Sequence, residues 1–358
     1  MNIMEATRSY ERWLASHTQV VKPDLNRKHQ LMAAAPFPFL RATYYRWAQL
    51  FPEVCKQSAK APRVLAVGDL HIENFGTWRD LEGRLAWGVN DFDEASALPY
   101  TNDLIRIATS AAFAARAEHI YLPAKRACEA LVTGYMESMK TGGMTFVLAE
   151  KHGWLKRIAF QQLKSPILYW QKLGSWPTIA AAKVPNAALK ALKSLLHDSK
   201  APIRIVLRQA GLGSRGHQRY VALQNHCGGL IAREAKALVP TAASWAQNKS
   251  SSIRYSEILK KAVRVPDPFL RVEGSWVVRR LAPDCTKIEM VDLPDQRNEE
   301  RLLYCMGWET ANIHLGTKGA RADILKDLRK RKAGWLFKSA RTMGDAMLND
   351  WKDWRKNS

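Results

Sequence analysis

The sequence predicts an α+β fold: a largely helical body joined to a small antiparallel sheet. Three observations predict it. Segments 102–119, 123–140, 299–314 and 321–354 repeat apolar residues at helical spacing. Two short apolar runs, 64–67 and 85–89, end in acidic loops. Between 203 and 281, alternating runs separated by glycine turns read as hairpins.

In chain order, the first strand stops at Gly68 and delivers Asp69, His71 and Asn74. Four residues separate Asp69 from Asn74, the spacing that phosphoryl-transfer loops use to set a proton-accepting Asp beside a metal-holding Asn. The strand 85–89 ends in Asn90, Asp91, Phe92 and Asp93, so two carboxylates reach the end of the neighbouring strand. Hard oxygen donors suit Mg²⁺, which binds through one or two carboxylates plus substrate phosphates. A single Asp or Asn after a strand is commonly turn chemistry. Turn chemistry explains neither the Asp-to-Asn spacing nor the carboxylate pair in the next loop.

Helix 102–119 has Thr101 or Asn102 as its cap, and helix 123–140 carries Pro123 in its first turn and meets a break at Gly142 and Gly143. Residues 145–200 read as further helices, with a proline-marked connection near Trp176 and Pro177 and a boundary at 200–202. The strand 203–210 runs into a G-x-G-x-x-G turn containing Gly211, Gly213, Ser214 and Gly216, and 218–223 returns as a strand. A dinucleotide fingerprint would open a helix instead. Glycines at a strand-to-strand turn let the backbone approach phosphate closely. The strand 229–235 carries Arg233 and leads into Lys236, and 268–273 with 275–281 completes the sheet. The chain thus divides into 1–200 with the two acidic loops, 201–294 with the glycine-turn sheet, and a basic helical segment 295–358 packing on the body.

The series Gly68-Asp-Leu-His-Ile-Glu-Asn74, Asp91-Phe-Asp93 and Asn102-Asp103-Leu104 resembles that of aminoglycoside and choline phosphotransferases, which have a protein-kinase-like two-lobe fold. The resemblance implies ATP and Mg²⁺ as cofactors, Asp69 as catalytic base, and Asn74 and Asp91, with Asp93 beside them, as metal ligands. It also implies that Asp103 anchors the catalytic loop from beneath. His71 joins Asp69 as a candidate catalytic residue in a loop-ordering role. Those enzymes carry a His two residues before the Asp, where this chain has Val67. Arg233 lies 22 residues after Gly211, about where kinases place the phosphate-pairing Lys of the third strand; Lys236 is the neighbouring candidate. Arg for Lys is not a conservative exchange, because Lys is a compact point charge and Arg a planar fork.

Kinases place the glycine loop first, whereas here Asp69 precedes Gly211, so the resemblance implies a circular permutation. The same inverted order resembles the bacterial domain-of-unknown-function family numbered 2252. That family's motifs correspond here to Lys28 and Met32 with Phe37-Pro-Phe-Leu-Arg41, Gly68 to Gly76, Asn90 to Glu94, Gly211 to Gly216, Arg233-Glu-Ala235 and Val278-Arg-Arg-Leu281. The departures are Arg233 for Lys and Arg280 for Gln.

At 358 residues with 47% hydrophobic content, the chain can bury a sizeable core. Five cysteines without C-x-x-C pairing point to reduced thiols and a cytoplasmic setting. No run reaches transmembrane length. A net charge of +22 favours anionic partners: nucleotide and an unknown acceptor at the site, and non-specific nucleic acid or another polyanion at the surface. The densest basic cluster is 326–332, near Trp335, Trp351 and Trp354. Two other readings stay open. One is a non-catalytic kinase-like scaffold that binds nucleotide or RNA. The other is a metallophosphoesterase in which Asp69 and His71 hold a metal, although the chain lacks that class's G-N-H-D/E and G-H-x-H motifs.

Overall fold

The computed structural model describes residues 1–116, 121–208, 212–213, 215–249, 253–288, 293 and 296–357. Gly211, Ser214 and the expected end of the helix at His119 lie outside the described residues. The body opens with helices α1 (Ile3–His17), α2 (Lys22–Ala34), α3 (Pro36–Ala42) and α4 (Tyr44–Val54). Strands β1 (Arg63–Ala66), β2 (Phe75–Arg79), β3 (Leu85–Val89) and β4 (Ser96–Pro99) follow, then α5 (Tyr100–Arg116), α6 (Ala124–Thr141) and β5 (Phe146–Val147). Next come α7 (Gly153–Gln161), α8 (Pro166–Gly174), β6 (Thr178–Ile179), α9 (Asn186–Lys193) and β7 (Arg204–Leu207). The sheet continues with β8 (Arg219–His226), β9 (Gly229–Ala237), α10 (Ala242–Ala246), α11 (Tyr255–Lys261), β10 (Leu270–Glu273) and β11 (Trp276–Leu281). Helices α12 (Gln296–His314), α13 (Ala320–Lys330) and α14 (Trp335–Asn357) return to the body.

The architecture is α+β with small antiparallel sheets. Among the described residues the largest sheet has six strands in the order β10-β11-β9-β8-β7-β6, all antiparallel. Two smaller sheets, β1-β4 and β2-β3-β5, hold the acidic loops. Helix α5 is buried on nearly every face and carries buried Asp103 and Arg106 among its apolar residues. Helices α6 and α12 pack backbone to backbone. A Cβ at Gly134 would sit 2.0 Å from the Tyr304 carbonyl oxygen, and one at Gly307 would sit 2.1 Å from that of Leu131. Only glycine permits that approach.

The expected helix over 321–354 is divided. Gly334, at φ +71°, turns the chain between α13 and α14. This redirection lets Leu336, Ala340, Met343 and Met347 enter the main core. Alternation on β9 gives the sheet two faces: Ala235 and Ala237 pack with Ala188 and Leu192 of α9, while Glu234 and Lys236 face the body.

Candidate functional site

Strand β1 brings Val67 and Gly68 to the top of α5. Gly68 is in the left-handed region at φ +86°, and a Cβ there would meet the Glu94 carbonyl oxygen at 2.5 Å, so the turn requires glycine. Asp103, in the first turn of α5, fixes the turn from below. Its Oδ2 accepts from the Val67 amide (2.7 Å), and its Oδ1 accepts from the Gly68 amide (3.0 Å) and Asn102 Nδ2 (3.0 Å). His314 Nε2 lies 3.0 Å from Asp103 Oδ2. A fully buried carboxyl group needs such a set of partners to offset its lost hydration.

Asp69 projects from this turn. Arg106, buried in α5, donates from Nε to Asp69 Oδ1 at 2.9 Å and from NH2 to the Leu40 carbonyl at 2.8 Å. Burial pushes the Asp69 carboxyl above its ordinary range, with Arg106 pulling the other way. The result is a carboxylate of raised basicity held in one orientation. Asn74 Nδ2 donates to the Asp69 carbonyl at 2.7 Å, which leaves its amide oxygen as the side chain's acceptor. His71 Nδ1 accepts from the Glu73 amide at 3.2 Å and caps the short turn 72–74. Burial, then Arg41 and Lys287, push its pKa far below the usual imidazole range, so it is neutral.

The second acidic loop supplies Asp91, Asp93 and Glu94. Lys236 Nζ lies 3.4 and 3.3 Å from the two Asp91 oxygens and pairs with Asp93 Oδ2. Burial resists ionisation at Asp91, but Lys236 and Arg279 outweigh it and hold that carboxyl below its ordinary range. Asp93 goes the other way, to about 7, through burial and the neighbouring Asp91 charge. Its Oδ1 is buried without a hydrogen-bond partner. Glu94 is pushed to about 8 by burial, although its Oε2 accepts from the Ala242 amide at 2.7 Å.

Opposite these carboxylates stands the glycine turn. A Cβ at Gly213 would lie 3.4 Å from Asp69 Oδ2 and 3.1 Å from the Arg41 carbonyl. Lys28, buried in α2, reaches the Gly213 carbonyl at 3.4 Å, and burial lowers its pKa. Gly216, at φ +96°, accepts from the Val21 amide at 2.9 Å, which ties the end of the turn to the start of α2. The space enclosed is about 90 Å³, room for a few waters.

The fold therefore brings together Asp69, His71, Asn74, Asp91, Asp93 and Gly213 around one cleft, with Lys236 buried behind it and paired to Asp91 and Asp93. Gly216 lies to its side, against Val20 and Leu25. Arg233 is the correction. Three residues from Lys236 on a strand of period two, it points to the other face, where Nε donates to the Leu195 carbonyl at 2.9 Å and the guanidinium sits 4.6 Å from the Phe269 ring. It is 2% exposed and does not reach the cleft. Sequence reasoning gave no role to Lys28, Arg41, Glu94, Arg106 or His217. The signal for Lys28, Arg41 and Glu94 stood in the K-x-x-x-M, F-x-F-x-R and N-D-F-D-E motifs. Arg106 and His217 had none.

The donors fit Mg²⁺ in kind: two carboxylates, one with an unpartnered buried oxygen, and an amide oxygen. Among the described residues no three His, Cys, Asp or Glu side chains form a ready-made metal cage, so substrate oxygens would have to complete the shell. Nor, among those residues, is any helix long and apolar enough to cross a membrane. No curated protein and no solved structure matches the chain. Over residues 21–167, which carry Lys28 and both acidic loops but not the six-stranded sheet, the chain is similar to the family described as an uncharacterized protein conserved in bacteria (DUF2252).

Proposed function

We propose that the chain is a Mg²⁺-dependent phosphotransferase of circularly permuted, kinase-like architecture that moves a phosphoryl group from ATP or a related donor to an acceptor hydroxyl. The observation that carries the reading is the convergence of Asp69, Asn74, Asp91 and Gly213 on one cleft from segments far apart in sequence, with Lys236 paired to Asp91 behind it. In this reading Asp69 Oδ2 takes the acceptor's proton while Arg106 holds Oδ1. The acceptor oxygen bonds to the terminal phosphorus, the bridging P–O bond breaks, and its electrons leave with the remaining phosphate chain. Asn74, Asp91 and Asp93 would hold the metal, which when bound neutralises charge developing on the phosphates. Lys236 keeps Asp91 ionised and offers a cation to the donor.

The metallophosphoesterase reading is less well supported, since Asp69 already faces a buried guanidinium and His71 Nδ1 serves the backbone. The two are separated by Asp69→Asn and Asp91→Asn. The phosphotransferase reading expects Asp91→Asn to abolish Mg²⁺-dependent nucleotide binding and Asp69→Asn to keep binding but lose turnover. Equal loss of binding in both would make Asp69 a metal ligand and overturn it.

A further inference from the structure

Adjoining the Asp69 cleft lies a second cavity of about 240 Å³, which shares Asn74, Asp91 and Lys287 with it. Among the described residues its walls include Arg208, Arg264, Arg279 and Arg280 beside Asp91 and Asp267. The arginines are built in place. Glu234, fully buried on β9, accepts from Arg208 NH1 at 2.7 Å and Arg279 Nε at 2.8 Å, and lies 3.5 Å from Arg219 NH1. Burial resists ionisation of Glu234, yet the three guanidiniums hold it charged. One negative charge thus fans out three positive ones. Arg264 enters from the opposite wall, its guanidinium 4.8 Å from the Trp78 ring and 5.0 Å from Phe92, with NH1 buried and without a hydrogen-bond partner. Arg280 Nε and NH2 are likewise buried without a hydrogen-bond partner, and buried donors of this kind are satisfied when an anion enters between them. Guanidinium forks match phosphate oxygens bidentately.

We infer that this arginine cavity binds a chain of linked phosphates and is where the donor's phosphate tail lies, its terminal phosphate reaching past Asp91 toward Asp69. The inference deepens the reading above by naming the donor's chemistry, and it rests on that reading for the transfer step but not for binding. Recognition falls on the phosphate chain: guanidiniums from β8, β11 and the segment before β10 surround the space. Two sources share this chemistry, a nucleoside triphosphate and an inorganic oligophosphate.

The test is calorimetric titration of the full chain in the presence of Mg²⁺ at fixed ionic strength with orthophosphate, tripolyphosphate, AMP and ATP. It is run on wild type, Arg208→Gln, Arg264→Gln and the surface control Lys330→Gln. Tripolyphosphate is expected to bind at least tenfold more tightly than orthophosphate. Each arginine variant should lose about tenfold in that affinity, the usual worth of a charge-assisted hydrogen bond, while Lys330→Gln changes nothing. Should Arg264→Gln fail to fold, the more exposed Arg208→Gln decides. ATP matching tripolyphosphate, with AMP inert, identifies a nucleoside triphosphate; ATP tenfold weaker identifies an inorganic chain. Tripolyphosphate binding no tighter than orthophosphate, or weakened equally by Lys330→Gln, overturns the inference. Arginine-dependent binding without transfer to any acceptor would sink the phosphotransferase reading and leave the cavity standing. Transfer from ATP that ignores both arginine variants would do the reverse.

Discussion

Lys236 Nζ lies 3.3 Å from Asp91 Oδ2, bridging the six-stranded sheet and the second acidic loop, while its near neighbour Arg233 is turned to the opposite face. Of the two basic residues on β9, Lys236 is therefore the one on the side of the acidic loop. Lys236→Gln is expected to weaken Mg²⁺-nucleotide binding about tenfold or more, because Asp91 and Asp93 lose the cation that fixes them and the donor loses a positive partner. Arg233→Ala should leave that affinity unchanged and cost roughly 1–3 kcal/mol of stability through the lost Leu195 contact and packing. Titration and denaturant unfolding of both variants check the pair, and a binding defect in Arg233→Ala would contradict the assignment.

Asp103 receives the Val67 and Gly68 backbone amides, the Asn102 side-chain amide and His314. Asp103→Ala leaves these donors buried and unpaired, so unfolding free energy should fall by about 3–5 kcal/mol. Asp103→Asn keeps one acceptor and should lose less. Equal stability of Asp103→Ala and wild type in urea would show that the turn is held in another way.

Gly213 faces Asp69 with no side chain between them. Gly213→Val should depress turnover by an order of magnitude or more, with a melting temperature close to wild type, because the added carbons occupy the acceptor's approach. A variant with full turnover would place the acceptor elsewhere.

Glu309 accepts from the Val89 amide and Asn312 Nδ2, and burial raises its pKa to about 7. A raised folded-state pKa means that the folded form binds the extra proton. Its stabilisation is therefore present below the ordinary carboxylate range and lost as pH rises through about 7. Between pH 5 and 8 the wild type should lose up to about 3 kcal/mol from this group, and Glu309→Gln should lack that slope. Parallel urea midpoints across this range for both proteins would refute it.

Much of the site was legible because its residues lie in short, ordered motifs. The strand ending at Gly68, the spacing of Asp69 and Asn74, and the carboxylates after β3 depend on local chain geometry, and local geometry is written locally. The Asp103 anchor and the helices α5 and α6 were legible for the same reason. The choice between Arg233 and Lys236 was not. An odd separation on a strand puts one of the two on each face, and only the packing of α9 against Ala235 and Ala237 decides which face is the core. The arginine cavity was equally hidden, since Arg208, Arg219, Arg264 and Arg279 meet through Glu234 and aromatic contacts that no local spacing encodes. The division of 321–354 turned on one glycine with a positive φ, Gly334.

The central claim is that Asp91 and its neighbours hold a metal-bound phosphate donor. The direct measurement is the melting temperature of wild type and Asp91→Asn with ATP, GTP and tripolyphosphate, each with and without Mg²⁺. Ligand binding to the native state raises apparent stability by about 2.7 kcal/mol at a hundredfold excess over Kd. The account predicts stabilisation of the wild type by at least one donor only with Mg²⁺, and none in Asp91→Asn. No Mg²⁺-dependent shift with any of the three, or an undiminished shift in Asp91→Asn, would contradict it.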